Sequence, residues 1–159
     1  MTEQERMKQG YVWQDDDENM SLQAHTKALV REFNSMPPED MEGREALLHD
    51  IFGKVGKNVL IGPNVTLCTT GHPIDPEHRG DGMYSFPITI GDNVWLGANV
   101  VVLPDVTIGE NSVIGAGSIV TKDIPANCIA FGSPCKVYRE INEHDKEYYF
   151  KNHRFDEQP

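Results

Sequence analysis

Residues 90–121, cut into sixes, read IGDNVW, LGANVV, VLPDVT, IGENSV, IGAGSI and VT. Ile90, Leu96, Val102, Ile108, Ile114 and Val120 hold the first place of each unit. Gly91, Gly97, Gly109 and Gly115 hold the second, and Val94, Val100, Val106, Ser112 and Ser118 the fifth. A lone strand repeats every two residues and a helix every 3.6, so neither yields a period of six. A short strand followed by a tight corner does, with the aliphatic residue inward and small residues at the bend. Three units close a triangular coil of roughly eighteen residues, and stacked coils join their inward positions into one apolar column. Ile90 should therefore lie against Ile108. The expected class is mainly β, a parallel β-helix.

The phase extends upstream. Val55, Ile61 and Leu67 head VGKNVL, IGPNVT and LCTTGH, one full coil over 55–72. The stretch PIDPEHRGDGMYSFPIT, with its prolines and glycines, interrupts it as a loop over 73–89. Coils follow at 90–107 and 108–125, and NCIAFGSPCKVYREI reads as a last partial coil and exit. The β-helix is thus expected over 54–137. Trp95 falls at a sixth, corner place and should face outward.

Residues 1–53 read as a small acidic helical cap. Thr2 to Glu5 forms a T-x-x-E capping box, and Gly10 can end the helix that follows. After the apolar Tyr11, Val12 and Trp13, the run from Asp15 to Glu18 favours the N-terminus of a second helix, expected from about Ser21 to Asn34. Leu22, Leu29, Val30 and Phe33 form its apolar side, and Pro37 and Pro38 break it. A third helix is expected from Glu39 to Phe52, with Met41, Leu48, Ile51 and Phe52 apolar and Gly53 as its stop. The tail over 138–159 alternates charges and aromatics, which fits either a segment folded back or a partly ordered end.

The chain has 159 residues and a net charge of −11, which argues against nucleic acid as partner. It has no run long enough to span a membrane, and MTEQERMKQG lacks the apolar core of a signal peptide. Cys68, Cys128 and Cys135 have neither framework nor zinc-ligand spacing, so free thiols in a reducing cytoplasm are expected.

Few residues carry obvious chemistry. His72 ends the first coil at the mouth of the loop, where an imidazole can serve as general base or merely anchor the loop. His78 stands six residues on; the pair invites a metal, but a third ligand is missing. Lys122, Lys136 and Arg139 gather at the end of the repeat, either as solvated surface or as a site for a phosphorylated ligand. An outward Trp95 beside the loop can stack on a ligand or pack against a neighbouring subunit.

The stretches TGHPID, GMYSFPITIGDNVWLGANVV, TIGENSVIGAGSIVTKDIP and GSPCKVYREIN resemble the galactoside and maltose O-acetyltransferases of the hexapeptide acyltransferase superfamily. MKQGYVW and REFNSMPPED in the cap resemble them too. The resemblance implies a homotrimer of left-handed β-helices that moves acetyl from acetyl-CoA to a sugar hydroxyl (galactoside, maltose or glucose-like), with no metal. By the same resemblance, His72 is the catalytic base and the hydroxyl attacks the thioester directly. An amide near Ala98 would stabilise the oxyanion. Ala116, Thr121, Lys122, Lys136 and Arg139 match positions that contact coenzyme A, with Lys136 in place of a frequent Arg. Trp95 matches a Trp near the acetyl end. Asp15 matches a cap residue that helps bind the acceptor, with Met83 in the loop beside it.

One departure is large. Members of this family carry roughly two further coils between VGKNV and IGPNV, where this chain runs straight on in phase. The absent part would hold most of the acceptor pocket. A non-catalytic trimer that has lost its acceptor pocket therefore stands beside the transferase, and the His72 and His78 pair adds a third reading, a metal-dependent hydratase on the same fold.

Overall fold

A computed structural model describes residues 1–37, 39–52 and 54–157. The expected helix breaker Pro38 and helix stop Gly53 lie outside the described residues. The repeat forms two-residue strands: β1 (Leu60–Ile61), β2 (Thr66–Leu67), β5 (Thr89–Ile90), β6 (Trp95–Leu96), β7 (Val101–Val102), β8 (Thr107–Ile108), β9 (Val113–Ile114) and β10 (Ile119–Val120). Strands stack in parallel on three walls. One runs β1-β6-β9 and on into the hairpin of β11 (Cys128–Gly132) and β12 (Cys135–Glu140); the second stacks β2-β7-β10 and the third β5-β8. Ile90 pairs with Ile108, Leu96 with Ile114 and Val102 with Val120, the expected stacking. First- and fifth-place residues from Ile90 to Val120 are buried.

The corners differ from the sequence expectation. The bend lies at the fourth place, where Asn58, Asn64, Asn93, Asn99, Asp105 and Asn111 all adopt positive φ between 55° and 64°. Asn tolerates this left-handed conformation better than most residues. It also bonds upward: Asn58 donates to Asn93, Asn93 to Asn111 and Asn111 to Asn127, at 3.1, 2.9 and 2.8 Å. The second-place glycines serve close approach instead: a Cβ on Gly97 would sit 2.6 Å from the Ala116 nitrogen. Trp95 is not at a corner but in β6, facing out and 52% exposed. The third coil is short, since Ile108 bridges Ile124 sixteen residues on.

The loop over 73–89 is partly strand. Its return leg β4 (Tyr84–Ser85) pairs antiparallel with β3 (Thr70–Gly71), just ahead of His72. In the cap, α1 is Glu3–Lys8, with the capping box formed and Gly10 turning at φ 75°. Helix α2 spans Asp17–Ser35, four residues earlier than expected, because Asp16 itself is the cap and accepts the Asn19 amide. Helix α3 spans Met41–Ile51, capped by Asp40 on the Gly43 amide. The expected apolar sides are not buried: Leu22, Val30 and Met41 are exposed. Between α2, α3 and the first coil lies an open cavity of about 1410 Å³, lined by Val30, Phe33, Leu48, Ile61 and Leu67 among others. No helix among the described residues is long and apolar enough to cross a membrane. The tail forms α4 (His144–Glu147) and a small hairpin, β13 (Tyr148–Phe150) with β14 (His153–Arg154).

Candidate functional site

His72 leaves β3 beside the returning loop, and its Nδ1 lies 3.2 Å from the Gly82 carbonyl oxygen. A carbonyl only accepts, so Nδ1 carries a proton, and in the neutral imidazole the lone pair is then on Nε2. Gly82 has φ 148°, and a Cβ there would collide with the Trp13 carbonyl. The next residue, Met83, exchanges two 2.8 Å backbone bonds with Trp13. Trp13 is buried, and its indole donates to Ser85 Oγ, which also meets Thr70. The cap, the loop and the His72 strand are therefore one seam. Met83 lies in it, and Asp15, two residues past Trp13, accepts from Gln23 on its solvent side. Gly82 and Ser85 escaped the sequence reading; the GDG turn ahead of an aromatic strand was their visible signal.

The remaining residues fall on two edges of the prism. Residues paired across strands share a face. Leu60, Trp95, Val113, Ile129 and Arg139 thus form one outward column on the long wall. The register shifts between Ile129 and Ala130, leaving Tyr138 as an extra residue in β12. That bulge puts Lys136, paired with Phe131, on the same face as Arg139. Ala98 and Ala116 lie at the corner that follows this wall, stacked through the Gly117 amide on the Ala98 carbonyl at 2.8 Å. Thr121 and Lys122 lie at the next corner, after the β2-β7-β10 wall, along the edge from which the His72 strand departs. A single chain does not gather all of these residues.

The third-place amide donates no bond to the ladder, which is why Pro63 and Pro104 fit there. Ala98 is a third-place residue, and among the described residues nothing accepts from its amide. Gly62 passes over it without a side chain; a Cβ there would sit 2.7 Å from that nitrogen.

Arg139 is not a free cation. Its Nη1 and Nη2 each donate at 2.6 Å to Asp145, whose carboxyl is held down to about 2 by that guanidinium and by the Asn142 amide. Burial in the last coil pushes the Cys135 thiol up. All three cysteines are free. His78 faces Asp81 at 2.8 Å at the exposed loop tip, and no metal-binding cluster exists among the described residues.

The model of the bacterial transferase hexapeptide (six repeats) matches residues 87–122, and that of the maltose acetyltransferase hexapeptide capping motif matches residues 6–56. Galactoside O-acetyltransferase of Escherichia coli K12 is 43% identical over 94% of this chain and 95% of its own length. The chain belongs to the galactoside and maltose branch of the hexapeptide-repeat acetyltransferases. Among solved structures of this family, a galactoside acetyltransferase in complex with coenzyme A superposes at a TM-score of 0.80, covering 97% of this chain and 98% of that one. A maltose O-acetyltransferase from Clostridium difficile, 36% identical, superposes at 0.71 over 90% and 99%. The fold is therefore the left-handed parallel β-helix of this family. The E. coli alignment runs 192 residues against a chain of 159, so it carries gaps on this chain's side.

Proposed function

We propose that the protein is an acetyl-CoA-dependent O-acetyltransferase whose acceptor is a sugar hydroxyl, with His72 as general base. The observation that carries this reading is the contact of His72 Nδ1 with the Gly82 carbonyl, which leaves Nε2 basic at the cap–loop seam. Nε2 takes the proton as the acceptor oxygen attacks the thioester carbon. The Ala98 amide stabilises the oxyanion. As the tetrahedral intermediate collapses, the C–S bond breaks and the coenzyme A sulfur takes the proton from the imidazolium. Asp15 and Met83 flank the acceptor. Related proteins of galactoside and maltose specificity, one in complex with coenzyme A, support the substrate classes.

A homotrimer completes this site. Trp95, Ala98, Ala116, Lys136 and Arg139 of one subunit would face His72, Thr121 and Lys122 of its neighbour across the cleft, joining the two edges that one chain keeps apart. His72→Ala should lower the release of free thiol from acetyl-CoA in the presence of a sugar acceptor by about 10²–10⁴-fold. Turnover equal to the parent protein would sink the base assignment. The gapped alignment and the open cavity at the first coil favour a second reading, a non-catalytic trimer without an acceptor pocket. Coenzyme A binding without turnover on any sugar of a panel would select it.

A further inference from the structure

A planar guanidinium has five N–H donors. In Arg139 three are engaged: Nη1 donates to Asp145 Oδ2 and, at 2.9 Å, to the Glu140 carbonyl, while Nη2 donates to Asp145 Oδ1. Among the described residues, Nε–H and the outer Nη2–H have no acceptor. These two lie on one edge of the fork and match two oxygens of a phosphate bidentately. The Asp145 carboxylate occupies the end of the fork and is itself tied back by the Asn142 amide at 2.9 Å.

We propose that Asp145 is a positioning residue: it grips the end of the Arg139 guanidinium so that the Nε–Nη2 edge faces the phosphomonoester of bound coenzyme A. The proposal rests on the reading of Arg139 as a coenzyme A contact. The Tyr138 bulge serves the same end, since it turns Lys136 onto the Arg139 face to add a point charge. Asp145 is itself an anion, and its repulsion of the phosphate opposes the effect. That repulsion acts across the whole guanidinium, a separation of about one Debye length at about 0.15 M salt, so it is partly screened while the contact it opposes is direct. The loss of rotational freedom in a long, 37% exposed side chain is not screened at all.

The test is calorimetric binding of coenzyme A and of 3′-dephospho-coenzyme A to the full chain at about 0.15 M salt. The parent protein should prefer coenzyme A. Asp145→Asn should weaken coenzyme A about tenfold and leave the dephospho form unchanged, so the preference collapses. Asp145→Glu, which keeps the charge but shifts the grip, should fall between the two. Equal weakening of both ligands would mark a merely structural role and overturn the proposal. An unchanged preference in both variants would overturn it too, as would tighter coenzyme A binding by Asp145→Asn. A parent protein that binds both ligands equally removes the phosphate contact but leaves the transferase reading standing. One that binds neither removes both.

Discussion

The two ends of the β-helix obey the same six-residue rule and are packed very differently. From Val94 to Ala130 every inward residue has a stacked neighbour on either side or is closed by the β11–β12 hairpin, and Val94, Leu96, Ile108 and Ile114 have no exposure at all. In the first coil Val59, Val65 and Leu67 are only partly buried against that core, and β1 and β2 are edge strands. Above them stands the cavity, with α2 and α3 on its far side. A stacked repeat draws its stability from its neighbours, and the first coil has one neighbour where the others have two. Position in the stack, not residue type, separates Ile61 from Leu96.

The largest effect should come from the closed end. Leu96→Ala removes a fully buried side chain from the middle of the column and should cost about 2–5 kcal/mol in urea unfolding at fixed protein concentration. Ile61→Ala, the same kind of truncation one coil up, should cost no more than about 1–2 kcal/mol, because its cavity already opens outward. Equal costs would mean that the first coil is covered in solution and that the contrast between the ends is false.

The next effect lies at the corners. Asn111→Ala forces a residue with a Cβ and no local hydrogen bond into φ 60° and cuts the amide ladder between Asn93 and Asn127, so a loss of about 1–2 kcal/mol is expected. Asn111→Gly keeps the backbone conformation and should recover most of that. If glycine costs as much as alanine, the ladder and not the bend holds the corner.

These corners show where sequence reading succeeds and stops. The first-place aliphatics gave away the coil because burial acts on every sixth residue and leaves a period. The fourth-place Asn93, Asn99, Asp105, Asn111 and Gly117 are as periodic, yet their message concerns φ rather than burial, and the small second place looks like the bend instead. The start of α2 was misjudged because Asp16 and Asp17 look like charge placed ahead of a helix when they are its cap and first residue. The shortened third coil was invisible, since the sequence keeps its six-residue phase until Val120 and the two-residue contraction occurs between Val120 and Ile124. At the proposed site, the position of His72 at the loop mouth was legible in the sequence. The partners that give it meaning were not, because Gly82 and Trp13 come to it across the chain through backbone atoms that no side-chain pattern reports. The Arg139–Asp145 pair was hidden for the same reason: Asp145 lies beyond the end of the Arg139 strand, and only the turn at Asn142 brings it back.

The smallest expected effect is the most direct test of the open end. Val30 lies on α2 facing the cavity and is 40% exposed. In an ordinary cap its apolar side would seal the first coil, and replacing it with lysine would bury a charge. Here the side chain meets open space, and lysine extends into solvent with a better helix propensity than valine. Val30→Lys should therefore shift stability by no more than about 0.5 kcal/mol in either direction. Leu48→Lys, on the facing side of α3 and half-buried, should cost somewhat more, because part of its surface already rests on the cavity wall. A loss at Val30 near the roughly 1.5–3 kcal/mol of a fully buried aliphatic would show that α2 closes onto the first coil in solution. The first coil would then have a second neighbour after all, the helical hairpin taking the place of a coil, and Ile61 and Leu96 should converge in the truncation series.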